Sequence, residues 1–335
     1  MNKKIRWGVL STSNIAQSAL IPAIGKSCNG EVVAIASRDE SKAREVAGRL
    51  GIPKVFGSYE ALIQDPEVDA IYNPLPVAMH AEWSLRCAEA GKPVLCEKPL
   101  AANSLEARTM KKEFARRKLL LGEAIMYHFH PLTRQAVALV RSGVVGRVRA
   151  LHSTFHVNIT GGDIRFQKNL GGGGLLDVGS YCVSVMRLLA GEEPDRVAGF
   201  NNIGVISQVD ETFQGLLHFP SGILGNFSCG LRTFFDCNYE ISGSKGRILV
   251  DAGAMCAWPG GEFKIRVWSE LESPDYREIV VPPANPYVLL VEDFADALLS
   301  KRPLTVPVSE SIRNLKVIDR LFKGARVFQA PDEMG

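Results

Sequence analysis

The hydrophobic and polar positions of this chain fall into two regimes. From residue 5 to residue 125, short continuous apolar runs alternate with stretches of helical spacing; from residue 147 onward, apolar and polar residues mostly alternate one by one. In the first regime the runs at 5–10, 31–37, 54–56, 68–72, 94–98 and 119–125 read as strands, with helices at 15–27, 40–50, 59–64, 77–90 and 103–118 between them. Strands covered on both faces lack polar alternation, and strand–helix–strand units close with one hand. The pattern therefore predicts an α/β fold with a doubly wound parallel sheet. A further helix is expected from His130-Pro131 to about residue 142.

In the second regime 147–158, 197–200, 211–219, 223–230, 237–242, 248–250, 263–268 and 277–281 are strand candidates. Several are joined by tight turns, such as Pro220-Ser221-Gly222 and Ser244-Lys245-Gly246. Helices are expected at 178–190, 286–300 and 309–323, and residues 159–165 read as a loop. This is the signature of a mainly antiparallel sheet with helices, an α+β domain. The expected division is 1–125, then 126–310, then a C-terminal helix and tail at 311–335 that can dock on the first domain.

Composition narrows the function. Lys+Arg number 39 against Asp+Glu 36, a formal charge of +3, too balanced for nucleic acid as the main partner. The 7 cysteines (Cys28, Cys87, Cys96, Cys182, Cys229, Cys237 and Cys256) are odd in number and never form Cys-x-x-Cys. That fits a reducing cytoplasm better than a disulfide framework, and no spacing of His or Cys supports a metal site. Lys3, Lys4 and Arg6 before an apolar stretch imitate a signal peptide, but Ser11, Thr12, Ser13, Asn14, Gln17 and Ser18 interrupt it. No apolar run approaches the roughly 20 residues of a membrane span. A cytoplasmic protein with no membrane partner is expected.

Four stretches carry candidate chemistry. Ser11-Thr12-Ser13-Asn14 joins the first strand to the helix from Ile15, and Ser11, Ser13 and Ala16 fall where a Gly-x-Gly-x-x-Gly fingerprint has its glycines. Small residues allow close approach of a pyrophosphate to the helix N-terminus, although a serine-rich cap on an ordinary helix has the same pattern. At the end of the second strand stand Ser37 and Arg38, with Lys42 one turn on, where an NAD enzyme places an acid. A hydroxyl and a guanidinium suit a 2′-phosphate, so NADP(H) is expected over NAD(H); a solvated basic helix start is the alternative.

The third stretch is Glu97-Lys98-Pro99 at the end of a buried apolar run, at the strand edge where α/β sheets bind ligands. It reads equally as a surface ion pair. The fourth runs from Gly171 through Asp177 to Tyr181. Asp177 is expected at or near the cap of the 178–190 helix, with Tyr181 on the same face. The glycines leave the backbone free to pass close to another group. A glycine loop, a capping acid and a packed tyrosine would look alike.

Together these stretches, with Pro74 to His80 and Phe129-His130-Pro131, make the chain similar to the glucose-fructose oxidoreductase/inositol dehydrogenase family of NAD(P)-dependent oxidoreductases. The resemblance spans nearly the whole length. It implies a Rossmann domain followed by a domain with a large open sheet, which binds substrate and forms a homodimer or homotetramer. It also implies hydride transfer between nicotinamide and a carbinol or carbonyl carbon of a sugar or sugar-like diol. By motif match Lys98 holds the reacting oxygen, Asp177 orients substrate hydroxyls and Tyr181 exchanges the proton. Ser11, Thr12, Ser13, Asn14, Ile15, Ser37, Arg38, Lys42, Pro74, Leu75, His80, Glu97 and Lys98 are the implied cofactor contacts; Tyr127, His156, Arg165, Asp177 and Tyr181 are the implied substrate contacts. Tyrosine at position 181 resembles the dihydrodiol and aldose dehydrogenase branches, since inositol-type members carry histidine. His128 stands where many relatives have arginine. A free tyrosine, with a pKa near 10, is a poor base at neutral pH, but a neighbouring ammonium favours its phenolate. A nucleotide-sugar ketoreductase and a non-catalytic NAD(P)-binding regulator are the alternatives.

Overall fold

The strands β1 (Ile5–Leu10), β2 (Gly30–Ala36), β3 (Lys54–Phe56), β4 (Ala70–Asn73), β5 (Val94–Cys96) and β6 (Leu121–Glu123) form one sheet in the order β3-β2-β1-β4-β5-β6. Every pairing in it is parallel. β4 and β5 are buried at every position, which is why they read as unbroken apolar runs. The computed structural model describes residues 3–160, 162–251, 253–256, 261–269 and 275–329. Gly161 of the expected loop and residues 330–335 of the expected tail lie outside these.

The connecting helices are α1 (Ile21–Lys26), entered through a π-helical turn Ala16–Leu20, then α2 (Glu40–Leu50), α3 (Tyr59–Gln64), α4 (Val77–Glu89) and α5 (Ser104–Arg116). Their starts obey capping chemistry. Asp39 accepts from the N–H groups of Ser41 and Lys42, Ser58 from Ala61, and Asn103 from Leu105 and Glu106.

By its contacts the chain divides into two compact units, Met1–Met126 with Pro286–Ile312, and Tyr127–Asn285 with Arg313–Gly335. This corrects the expected 126–310 boundary. The helix α8 (Pro286–Ser300) groups with the parallel sheet because its apolar face, with Leu290, Val291 and Phe294, is buried there. The Phe294 ring lies 5.2 Å from Trp7, and the Asn29 amide donates to the Glu292 carbonyl (3.0 Å) and to Asp296 (2.7 Å). Helical spacing alone could not say which sheet that face would cover.

The second unit opens with α6 (Pro131–Arg141), capped by the His130 side chain. Its sheet comprises β7 (Val148–Asn158), β8 (Arg196–Ile203), β9 (Asp210–His218), β10 (Leu224–Gly230), β11 (Arg232–Gly243), β12 (Arg247–Val250), β13 (Phe263–Trp268), β14 (Arg277–Val281) and β15 (Arg326–Gln329). The order is β14-β13-β12-β11-β7-β10-β9-β8-β15, antiparallel except where β7 meets β10 and where β8 meets β15. α7 (Ser180–Ala190), with Ser180 to Arg187 all buried, packs on this sheet. The stretch Lys168–Ala190 is long and apolar enough to cross a membrane by composition, but 83% of its window is buried, as in a core helix. The last helix, α9 (Val308–Gly324), contributes Val308–Ile312 to the first unit and Arg313 onward to the second. The expected tail is therefore an edge strand of the second sheet and groups with that unit.

Candidate active site

In the first unit the candidate residues gather at the carboxyl ends of β1, β2, β4 and β5, where an open α/β sheet binds its ligands. Ser11 follows β1 at φ 79°, the left-handed region that a fingerprint glycine occupies without cost. Its Oγ accepts from Ser13 N–H (3.3 Å), and Ser13 Oγ accepts from Ala16 N–H (3.4 Å). Thr12 and Asn14 bind the helix through their carbonyls, which accept from the Gln17 amide (2.6 Å) and Ser18 hydroxyl (2.8 Å). Ile15 stands at the helix N-cap. Both serine hydroxyls are thus turned into the loop, and small polar residues do the work of the missing glycines. Gly8 is small for a different reason: a Cβ there would stand 2.7 Å from Leu62.

At the tip of β2 the Ser37 hydroxyl accepts from Asp39 N–H (3.1 Å). Asp39 itself is spent on capping α2, with Lys42 3.8 Å away, so the acid nearest the tip faces the helix start. Arg38 is exposed and reaches the Tyr59 hydroxyl; burial raises the Tyr59 pKa and the guanidinium opposes that rise. These residues, with the Ser11–Ile15 turn, fit a dinucleotide.

After β4, the buried Asn73 amide donates to the His80 carbonyl (3.3 Å) and to Ser84 Oγ (3.1 Å), while its oxygen accepts from Leu75 N–H (3.3 Å). Pro74 lies within this brace. His80 is 1% exposed, with Nε2 2.7 Å from the Leu75 carbonyl and Nδ1 2.9 Å from that of Pro99. Burial lowers its pKa to about 4. Both ring nitrogens thus lie against carbonyls of the chain, the neutral ring donating to one of them, and His80 stands between the β4 loop and the β5 loop.

That second loop is held residue by residue. Glu97 N–H donates to the Asn73 carbonyl (3.0 Å), Tyr72 O–H to Glu97 Oε1 (2.6 Å), Lys98 N–H to Glu97 Oε2 (3.2 Å), and Leu100 N–H to Glu123 Oε1 (2.7 Å). The Lys98-Pro99 bond is cis. Burial raises the Glu123 pKa, against the pull of Ser311, Leu100 N–H and the Lys98 charge. Glu97, expected as a cofactor contact, gives both carboxylate oxygens to this bracing. Tyr72→Phe removes a donor from a buried carboxylate and is expected to cost about 1–3 kcal/mol. An unchanged urea midpoint in that variant would show that the phenol does not hold Glu97.

In the second unit, helical structure begins at Leu175, not 178, as a π-helical turn Leu175–Gly179 that continues into α7. Asp177 therefore lies inside the first turn instead of capping it. Its Oδ2 accepts from Arg165 Nε (2.7 Å), and Arg165 also binds Asp163 (3.2 Å). The two acids, Asp177 foremost, hold the guanidinium pKa above its usual value. One turn on, Tyr181 is 5% exposed, its ring centroid 5.8 Å from that of Tyr127 and 5.3 Å from that of Phe155.

Tyr127 is fully buried and donates to Ser184 Oγ (2.7 Å), which also lies 3.2 Å from His128 Nε2. Burial, with Arg187 nearby, lowers the His128 pKa to about 4. Tyr127 thus backs the Tyr181 ring. His156 neighbours Phe155 on β7, and alternation puts it on the opposite face of the sheet, with Nε2 3.0 Å from Ser228 Oγ. Phe155, not His156, is the β7 residue at Tyr181. Among the described residues, no three His, Cys, Asp or Glu side chains converge as metal ligands.

The model of an oxidoreductase family with an NAD-binding Rossmann fold matches residues 5–124, and that of the GFO/IDH/MocA C-terminal domain matches 133–249. The chain belongs to the GFO/IDH/MocA oxidoreductase family. A D-xylose 1-dehydrogenase (NADP(+)) of Haloferax volcanii is 36% identical over 95% of this chain and 97% of its own length. A dTDP-3,4-didehydro-2,6-dideoxy-α-D-glucose 3-reductase of Actinomadura kijaniata is 32% identical over 98% and 97%. The crystal structure of a 3-ketoreductase from Actinomadura kijaniata, in complex with NADP and TDP-benzene, superposes with a TM-score of 0.93 at 31% identity, covering 98% of this chain and all of that one. As a family member the protein is an NAD(P)-dependent oxidoreductase, with a parallel six-stranded sheet followed by a mixed-sheet domain.

Proposed function

We propose that this protein is an NADP-dependent dehydrogenase or reductase acting on an aldose, keto-sugar or sugar-like diol. The observation that carries this reading is Lys98, set at the carboxyl end of a parallel strand by the Tyr72–Glu97 and Glu123–Leu100 hydrogen bonds. A structural lysine needs no such bracing, and a regulator that only senses NAD(P) has no need of Lys98, Asp177 and Tyr181 together.

Bound NADP(H) would accept or supply the hydride. The turn Ser11–Ile15 would receive its pyrophosphate on backbone N–H groups. Ser37, Arg38 and Lys42 would hold the 2′-phosphate, and Pro74 and Leu75 would border the nicotinamide side. Lys98 donates a charged hydrogen bond to the reacting oxygen. Tyr181 takes the hydroxyl proton in oxidation as the phenolate and returns it in reduction as the phenol. Asp177, oriented by Arg165, accepts from a neighbouring substrate hydroxyl. Relatives of this identity include both a xylose dehydrogenase and a nucleotide-sugar 3-reductase. NADP reduction or NADPH oxidation against a panel of free aldoses, diols and sugar nucleotides separates the two. Turnover of sugar nucleotides alone would overturn the free-sugar reading, and no turnover with any class would favour the regulator.

The protein is proposed to work in the cytoplasm as a homodimer. On the sheet face opposite α7, Phe200, Leu216, Leu224 and Phe328 are 51%, 55%, 59% and 49% exposed. Their strands are neighbours in the order β10-β9-β8-β15, so the apolar side chains share one face, and an isologous pair of such faces is the commonest closed assembly. Light scattering is expected to return twice the chain mass at micromolar concentration, falling to one chain in Phe200→Asp/Leu216→Asp. A monomer in the unmodified protein would refute the dimer.

A further inference from the structure

The glycine run Gly171–Gly174 passes tightly against two groups of its own chain. A Cβ on Gly172 would stand 2.4 Å from the Arg165 carbonyl oxygen, and one on Gly173 would stand 2.1 Å from Asp210 Oδ1. Gly173 also has φ 126°. The group to which Gly173 gives way is thus a carboxylate, supplied by the first residue of β9.

Asp210 is 4% exposed, and its Oδ2 accepts from Leu175 N–H at 2.5 Å, with the Gly174 amide also favouring the charged carboxylate. The helix entered at Leu175 has a glycine at its N-cap, with no side chain of its own to accept those bonds. Orphan N–H groups at a buried helix start need an acceptor, and aspartate is among the preferred ones. Here it arrives from across the sheet, 35 residues later. Burial pushes the Asp210 carboxyl up to about 7, Asp177 adding to the rise. No other use of this carboxylate is visible, and the capping it performs is the role that spacing assigned to Asp177. With the cap filled from β9, the Asp177 carboxylate is available to Arg165.

We propose that Asp210 is a positioning residue for the reaction: by capping the Leu175–Gly179 turn from the sheet, it fixes where Asp177 and Tyr181 stand. The inference rests on the assignment of those two residues to the chemistry above. Asp210 itself touches no substrate. A cap that served stability alone would leave the rate per folded molecule unchanged.

The test uses the full chain as wild type, Asp210→Ala, Asp210→Asn and Tyr181→Phe. Single-turnover hydride transfer at saturating NADPH and saturating substrate (from the panel above) is followed at the nicotinamide absorbance, with amide exchange of residues 175–180 read by mass spectrometry. Asp210→Ala is expected to lower the saturated rate ten-fold or more and to speed exchange at 175–180, with NADPH affinity within two-fold of wild type. Asp210→Asn, which keeps one acceptor, is expected to fall between the two. If Asp210→Ala yields no folded protein, Asp210→Asn decides alone. A wild-type rate in either variant, alongside an impaired Tyr181→Phe, overturns the positioning role. A wild-type rate in Tyr181→Phe instead faults the assignment of Tyr181, and the Asp210→Ala rate then judges the cap through Asp177.

Discussion

Tyr181→Phe is expected to slow hydride transfer by roughly 10²–10⁴-fold, the usual worth of a positioned acid–base group, while NADPH binding is retained. The ring is packed between Tyr127 and Phe155, so the phenylalanine keeps the same contacts and only the hydroxyl is lost. The expected loss therefore falls on chemistry and not on folding. Lys98→Met keeps the length of the stem and removes the charge; it is expected to lower the saturated rate by about 10²-fold or more, by the same reasoning for a charged hydrogen bond formed to the reacting oxygen. Under the proposed function the two groups serve one proton transfer, so their effects should not add. The double variant is expected to be little worse than the worse single. Single-turnover measurements on the three variants decide it. Retention of most of the rate in Tyr181→Phe would sink the assignment, and full additivity would show that the two residues act in separate steps.

The parallel sheet was legible in the sequence because its strands are covered on both faces and its helices carry their own start signals. Asp39, Ser58 and Asn103 mark three of those starts, and each side chain makes the capping bond that its type and place predict. What the sequence could not say was which layer a helix joins. The apolar face of α8 is as plain as any other, yet its partners, Trp7 and Asn29, lie more than two hundred and fifty residues away. Alternation located most strands of the second sheet, but period two carries no direction. The parallel pairing of β7 with β10 was invisible for that reason. β15 was missed because its four residues, Arg326-Val327-Phe328-Gln329, are too few to show a period.

The site divides in the same way. Lys98, Asp177 and Tyr181 stand in short contiguous motifs, so the family resemblance could single them out. The groups that hold them come from other elements: Tyr72 from β4, Glu123 from β6, Arg165 from the segment before the glycine run and Asp210 from β9. None has a spacing to its client that a reader of one sequence could recognise. The partners of His80 and His156 were not legible for a related reason. A histidine marks a place where polar contact is needed, and in both the contact proved to be internal, with backbone carbonyls for His80 and with Ser228 for His156.

NADPH is expected to bind ten- to a hundred-fold more tightly than NADH, and Arg38→Ala to remove most of that gap. The expectation starts from the tip of β2, where an NAD enzyme sets an acid on the ribose hydroxyls. Here the nearest acid, Asp39, is committed to the N–H groups of Ser41 and Lys42. That commitment holds its pKa low, the Ser41 hydroxyl contributing most, so the carboxylate stays ionised and stays on the helix. Arg38 is exposed at the tip, where its reach to the Tyr59 hydroxyl gives the guanidinium a fixed neighbour without spending its charge. A charge-assisted hydrogen bond to phosphate is worth about 1.5–3 kcal/mol, and each 1.4 kcal/mol is a factor of ten in affinity. Lys42 adds a weaker, screened attraction, so Lys42→Ala should narrow the gap less than Arg38→Ala does. Fluorescence titration of both cofactors against the three proteins measures the difference directly. Equal affinities in the unmodified protein would overturn the NADP preference, and a gap unchanged by Arg38→Ala would move the 2′-phosphate contact to Ser37 and Lys42.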